Sequence, residues 1–362
     1  TLSAADGLSI RSGASVINRG GLIVAGGDLD ILSADSLDSD GLIATNGRLR
    51  LEAGQALTLA KGGAGADARL TSREGRVELG SEFVAGGNLV LDGRDGVSAA
   101  ALAAAGSLTL RSTRGEVSSG ALVAKGPVSV EAAARASLAG AVFSDADVSL
   151  VGQGVTVDGK VGSAGRLSAD AGSGPLVLTA EARADGDILL QGQQVSAAGV
   201  QGAPRVEVRA GAGGFDNSGM LIGNAGVDVV SVGRLRQDGL TASLGNIALT
   251  SGQDAHLGGD LESGGQLDLR AGGALVGDGA WRAAGAAEAR AGSSLTAARE
   301  VMAGSAVTLI ADAGDLIVGG ALASNGAVTL KSGADLSVAG LQGGLNTRSE
   351  ERRVGKECRS RW

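Results

Sequence analysis

Histidine occurs once in the 362 residues, at His256; tyrosine does not occur, and cysteine occurs once, at Cys358. A nucleophile with its base, or a zinc centre, needs several such side chains converging. One histidine in SGQDAHLGG therefore reads as a surface or corner residue. Carboxylates remain, and clustered carboxylates can cleave polysaccharides. Asp28, Asp30, Glu78, Asp92, Glu116 and Asp268 are instead scattered, and most alternate with apolar neighbours, the pattern of a solvated strand face. The run Gly62 to Asp67 matches the start of a calcium-binding nonapeptide, but Arg69 stands where an apolar residue belongs, and no tandem copy follows. It reads as a glycine-rich corner. No phosphate-binding GxxxxGK[ST] loop is present. The expectation is of no catalytic, cofactor-binding or metal-binding residues, and of a protein that is not an enzyme.

Recognition surfaces are equally sparse. Phe83, Phe143 and Phe215 are isolated, which offers no stacking platform for bases or sugars. Trp281, in GAWRAAG, is expected to fill core or cover a corner. The net charge of -8 disfavours nucleic acid, whose phosphates need a basic footprint. No run of 18 apolar residues exists, so no transmembrane helix is expected. The chain opens at Thr1 with no signal peptide after it, and is expected to start inside a longer protein.

The last fifteen residues, RSEERRVGKECRSRW from Arg348 to Trp362, differ from everything upstream. They hold six Lys/Arg, three Glu, the single Cys358 and one of the two tryptophans. The stretch from Arg348 to Cys358 resembles an in-frame translation of a short-read sequencing adapter. Residues 348–362 are accordingly expected to be an artefactual, disordered tail. Without them the chain has 25 Lys/Arg against 36 Asp/Glu, a net -11.

Which elements would position these residues follows from the repeat. Units of about 20 residues recur: GLIATNGRLRLEAGQALTLA from Gly41, ALAAAGSLTLRSTRGEVSSG from Ala101, DLESGGQLDLRAGGALVGDG from Asp260, ALASNGAVTLKSGADLSVAG from Ala321. Each carries three short alternating pieces, as around Leu322, at Val328-Thr329-Leu330 and at Leu336-Ser337-Val338. Period-2 alternation over three to five residues marks a strand with one buried face. Such strands bury a core only when stacked coil on coil. Sixty-four glycines argue against helix. Asn46-Gly47 and Asn325-Gly326 are expected to supply positive φ at corners. Wider corners are expected around Gly62–Ala66, at Gly172–Pro175 and between Ala210 and Gly219. The expectation is an all-β solenoid of about seventeen coils, three strands each, continuous over residues 1–347. At about 4.8 Å per coil it would be a rod of roughly 80 Å.

Units of the form GxLxAxGxLxLxAxxxLxxxG, clearest at Gly41–Ala60, Ala101–Gly120, Asp260–Gly279 and Ala321–Gly340, resemble the central repeats of filamentous haemagglutinin and related exoproteins of two-partner secretion. The resemblance implies a right-handed parallel β-helix. It further implies export through an outer-membrane transporter and display on a Gram-negative cell, with receptors or glycans on host or neighbouring cells as partners. The implied role is the stalk of a large secreted adhesin. Stalks of contact-dependent growth-inhibition exoproteins share this repeat and stay open as an alternative; a polysaccharide-cleaving β-helix enzyme is disfavoured by the missing catalytic cluster.

Overall fold

The structure, a computed structural model, describes residues 1–202 and 204–342, together with the backbone of Thr347–Glu351. Among the described residues there is no helix; about seventeen coils are built from short parallel strands. The chain divides into two compact units, Thr1–Ala203 and Pro204–Trp362.

One coil of the first unit shows the plan. Leu122–Ala124, Val128–Ala132 and Ala136–Leu138 are its three strands, with burial alternating residue by residue. Leu122, Val128, Val130 and Leu138 point inward and are all but inaccessible, whereas Val123 and Glu131 point outward. Each strand pairs in parallel with its equivalents one coil away. The middle strands run Leu108↔Val128↔Val148↔Leu167↔Ile188, a repeat of 19 to 21 residues. Like therefore sits on like, and the core is a set of aliphatic columns. A three-residue strand buries almost nothing by itself; columns of Leu, Val and Ile keep apolar surface from water at about 25 cal/mol per Å². In several coils the third strand runs through a bend into the next coil's first, as in Arg76–Ala85 and Gly96–Ala104.

The second unit repeats the plan with a 20-residue period, Val227↔Ile247↔Leu267↔Ala287↔Val307. Its core holds polar insertions that the alternation pattern does not announce. Asn217 and Gln237 occupy inward positions in register and are fully buried. Asn217 Nδ2 donates to Gln237 Oε1 at 2.7 Å and to the Gly219 carbonyl at 2.8 Å. Gln237 Nε2 donates to the carbonyls of Gly219 and Gly239, both at 3.0 Å. Both amide nitrogens and Gln237 Oε1 are thus partnered within the pair and the corner backbone, whereas the buried Asn217 Oδ1 has no hydrogen-bond partner among the described residues.

Three sequence expectations change here. Gly47 and Gly326 do not adopt positive φ; Gly20, Gly96, Gly154, Gly172 and Gly214 do. Corners need glycine for a different reason: they stack directly on each other. A Cβ on Gly47 would lie 2.6 Å from the Gly27 carbonyl carbon, and one on Gly326 would lie 2.6 Å from the Ser305 oxygen. Gly62 and Gly63 lie inside the strand Leu57–Ala64 rather than in a corner. Gly62 leaves room for Phe83 of the next coil, whose ring would sit 3.1 Å from a Cβ at that position. The glycine-rich Ala210–Phe215 stretch likewise falls within the strand Arg205–Asn217. The widened corner at Gly172–Pro175 is present: Gly172 has φ 52° and Gly174 N–H donates to the Ala171 carbonyl at 2.8 Å.

At the C-terminal end, Thr347–Glu351 pairs in parallel with Val328–Ser332. The ladder therefore crosses the 347/348 boundary expected for a disordered tail. Arg352–Trp362, including Cys358, lie outside the described residues.

Candidate functional surface

The residues singled out for chemistry do not converge. His256 sits outward at the centre of Ala255–Leu257, half exposed. Its Nε2 is 3.1 Å from Asp278 Oδ2 one coil on, and its Nδ1 is 3.9 Å from Asp238 Oδ1 one coil back. Asp30 lies in register with Arg50, Asp92 with Arg111, and Asp268 pairs with Arg270 at 2.9 Å. Glu78 lies 4.0 Å from Arg76. Asp28 Oδ1 accepts the Arg48 backbone N–H at 2.9 Å. Asp67, the would-be calcium ligand, accepts the Asn88 backbone N–H at 2.8 Å in the same way. Among the described residues no group of three or more His, Cys, Asp or Glu side chains could hold a metal ion.

That corner role is general and was not foreseen from sequence. Asp147, Asn246, Asp254 and Asp260 each accept a backbone N–H from the following coil at 2.8 Å. A second series is built from serines at inward strand ends. The Ser163 hydroxyl lies 2.7 Å from the Ala146 carbonyl of the previous coil and 2.9 Å from the Arg166 carbonyl of its own corner. Ser251, Ser263 and Ser332 repeat the arrangement at 2.8 to 3.0 Å. The signal was available as Asp or Asn at or just before the start of a strand, and as Ser at its last position. Both look like ordinary corner residues until the coils are stacked.

Trp281 is buried in a column between Leu261 and Val301, as expected of a core filler. Gly277 lies against its indole and has no room for a Cβ. Phe83 and Phe215 are buried too. Phe143 differs: it is 45% exposed and its ring lies over Gly162 of the next coil, where a Cβ would sit 2.6 Å from Cδ1. A hollow of about 460 Å³ opens there, rimmed by Asp145, Lys160, Glu181, Arg183 and Asp185.

In the second unit an open groove of about 760 Å³ follows one face. Gly264, Ala284 and Gly304 form a low corner; Glu262, Arg282 and Met302, consecutive in register, stand beside it, with Leu244 at one end. Arg282 reaches Glu300 at 2.5 Å and Glu262 at 3.3 Å. The Glu300 hydrogen bond raises the guanidinium pKa above its ordinary value. These side chains pair with one another at the surface of the groove.

Parallel three-stranded coils, aliphatic columns and self-satisfied corners define a β-solenoid of tandem repeats. The haemagglutinin repeat family matches residues 1–89, 84–142, 123–201, 163–271 and 282–340, and the chain belongs to that family. No curated protein and no solved structure matches the chain.

Proposed function

We propose that this chain is a stretch of the stalk of a large secreted surface adhesin, and that it acts by projecting binding regions away from a Gram-negative cell rather than by catalysis. The observation that carries the reading is the tandem register: haemagglutinin repeats over most of the chain, each coil hydrogen-bonded to the next with like residues stacked. Such a fold converts chain length into reach and can assemble coil by coil as the chain emerges unfolded from an outer-membrane transporter. Cysteine enters only at Cys358, so the repeat portion has nothing to cross-link during passage. Receptors or glycans on other cells are the partners this role calls for. Residues 1–347 act as one continuous stalk segment, and residues 348–362 derive from adapter sequence.

The test is to sequence the source locus across both ends of this fragment. The expected result is an adapter-free frame running far beyond Thr347, with an amino-terminal secretion domain and a neighbouring transporter gene. A frame that ends natively in RSEERRVGKECRSRW, or that opens into a short catalytic protein, overturns the reading.

A further inference from the structure

The stacking register changes inside one strand of the second unit. The first part of Arg205–Asn217 is offset from the next coil by 21 residues, as in Val206↔Val227 and Ala210↔Ser231. The last part is offset by 20, as in Phe215↔Leu235 and Asn217↔Gln237. One extra residue is therefore absorbed between Ala210 and Phe215, in Gly211-Ala212-Gly213-Gly214. Gly214 sits there at φ 89°, and the three glycines give the stretch backbone freedom that other residues lack. Beyond it only three residues are left to align, Phe215–Asn217 on Leu235–Gln237, with one apolar inward side chain on each side.

We infer that the Asn217–Gln237 amide pair is a register lock: it fixes how the third strands of these two coils align, where apolar burial alone leaves the choice open. Sliding one of these strands by two positions keeps its inward residues inward, because side chains alternate with period two. Such a slip sets Asn217 on Leu235 in one direction, and Phe215 on Gln237 in the other. Either one breaks the 2.7 Å hydrogen bond from Asn217 Nδ2 to Gln237 Oε1 inside the core. In the observed register the same two side chains also donate to the carbonyls of Gly219 and Gly239. A buried amide stripped of its partners is costly, whereas a leucine finds an apolar neighbour in more than one alignment.

Stability alone does not call for this pair. The next residue in the column is Leu257, so the position accepts an aliphatic side chain, and the buried Asn217 Oδ1 has no hydrogen-bond partner among the described residues. A buried polar pair that gives up some stability yet fits one alignment only acts as a single buried asparagine does between coiled-coil helices. The inference does not depend on the stalk reading, since it concerns only how two coils align.

Disulfide trapping in the full chain carrying Cys358→Ser tests it. Asp216→Cys with Arg236→Cys reports the observed register, and Asp216→Cys with Arg234→Cys or with Asp238→Cys reports the two slips. Residues facing each other across a parallel ladder lie within disulfide reach, and those two positions off do not. Each protein is refolded from denaturant, checked by circular dichroism and then oxidised. With the amides in place, the expected result is trapping of the first pair alone. With Asn217→Leu and Gln237→Leu together, the ratio of slipped to native disulfide should rise at least about tenfold. The smaller Asn217→Val with Gln237→Val should do the same, which separates loss of the lock from overpacking by leucine. Slipped pairs already abundant with the amides in place, or the first pair alone in both apolar backgrounds, overturn the inference. So does failure of both backgrounds to refold, since the amides would then hold the coils together rather than align them.

Discussion

At the residue scale, the positions that matter most are those where a side chain has only one way to fit. Trp281 is the largest fully buried side chain, and its ring occupies the space that Gly277 leaves open. Gly277→Ala should lower stability by about 1–3 kcal/mol through overpacking. Adding Trp281→Leu should make the same alanine tolerable, a coupling that denaturant midpoints of the four proteins would reveal. Asn217 and Gln237 are a second such pair. Asn217→Ala leaves the buried Gln237 Oε1 without its 2.7 Å donor, and should cost about 1–3 kcal/mol. Replacing both by leucine should recover part of the loss, since an unmet polar group in the core is worse than none. Trp281 as core was legible from its apolar setting and isolation. The buried amides were not, because Asn and Gln at strand ends read as surface.

At the scale of the element, a coil is held to its neighbours by its corners as much as by its columns. Ser251→Ala removes a hydroxyl lying 2.9 Å from the carbonyls of both Gly233 and Asp254. A loss of about 1 kcal/mol is expected, with faster amide exchange at that corner than in the adjoining strands. Glu52 gives the first unit a pH dependence. Burial raises its pKa, but hydrogen bonds and charge from Arg50 and Arg73 outweigh this and leave it below the ordinary 4.5. A carboxylate so depressed contributes stability above pH 4.5, and that contribution is lost as pH falls through the lower, folded-state value. The unfolding midpoint of the wild type should drop across that acid range, while Glu52→Gln should show a shallower drop and a lower midpoint at neutral pH. Equal slopes in the two proteins would show that the two arginines do not act on Glu52 as a pair. The strands themselves were readable from alternation at Leu-x-Leu. The latches were not, because Ser163 and its acceptor Ala146 are seventeen residues apart and meet only when the coils stack.

At the scale of the whole molecule, each coil touches its neighbours only, so stability is expected to behave as a sum of coils and interfaces. Leu91→Ala, at a fully buried column position, should cost about 2–5 kcal/mol locally. Hydrogen exchange should then place the loosened amides in the coils flanking Leu91, with protection around Leu267 in the other unit unchanged. A uniform loss of protection across both units would mean that the chain unfolds as a single cooperative block.

By itself, the sequence determined the class of fold. A 20-residue recurrence, alternation of period two, glycine at regular intervals and a near absence of aromatics leave only stacked short strands as a way to bury Leu, Val and Ile. It also put carboxylates such as Asp268 on outward positions, since a residue between two core positions of a strand, here Leu267 and Leu269, must face away from the core. Only the tertiary structure decided why the corner glycines are there. Positive φ is a property of one residue, but the steric block at Gly47 comes from Gly27 in the coil before. The same holds for Phe83 over Gly62 and Phe143 over Gly162. Val84, Ala103, Val123 and Phe143 likewise come into one outward column only through stacking, and that register depends on contacts between residues some twenty positions apart.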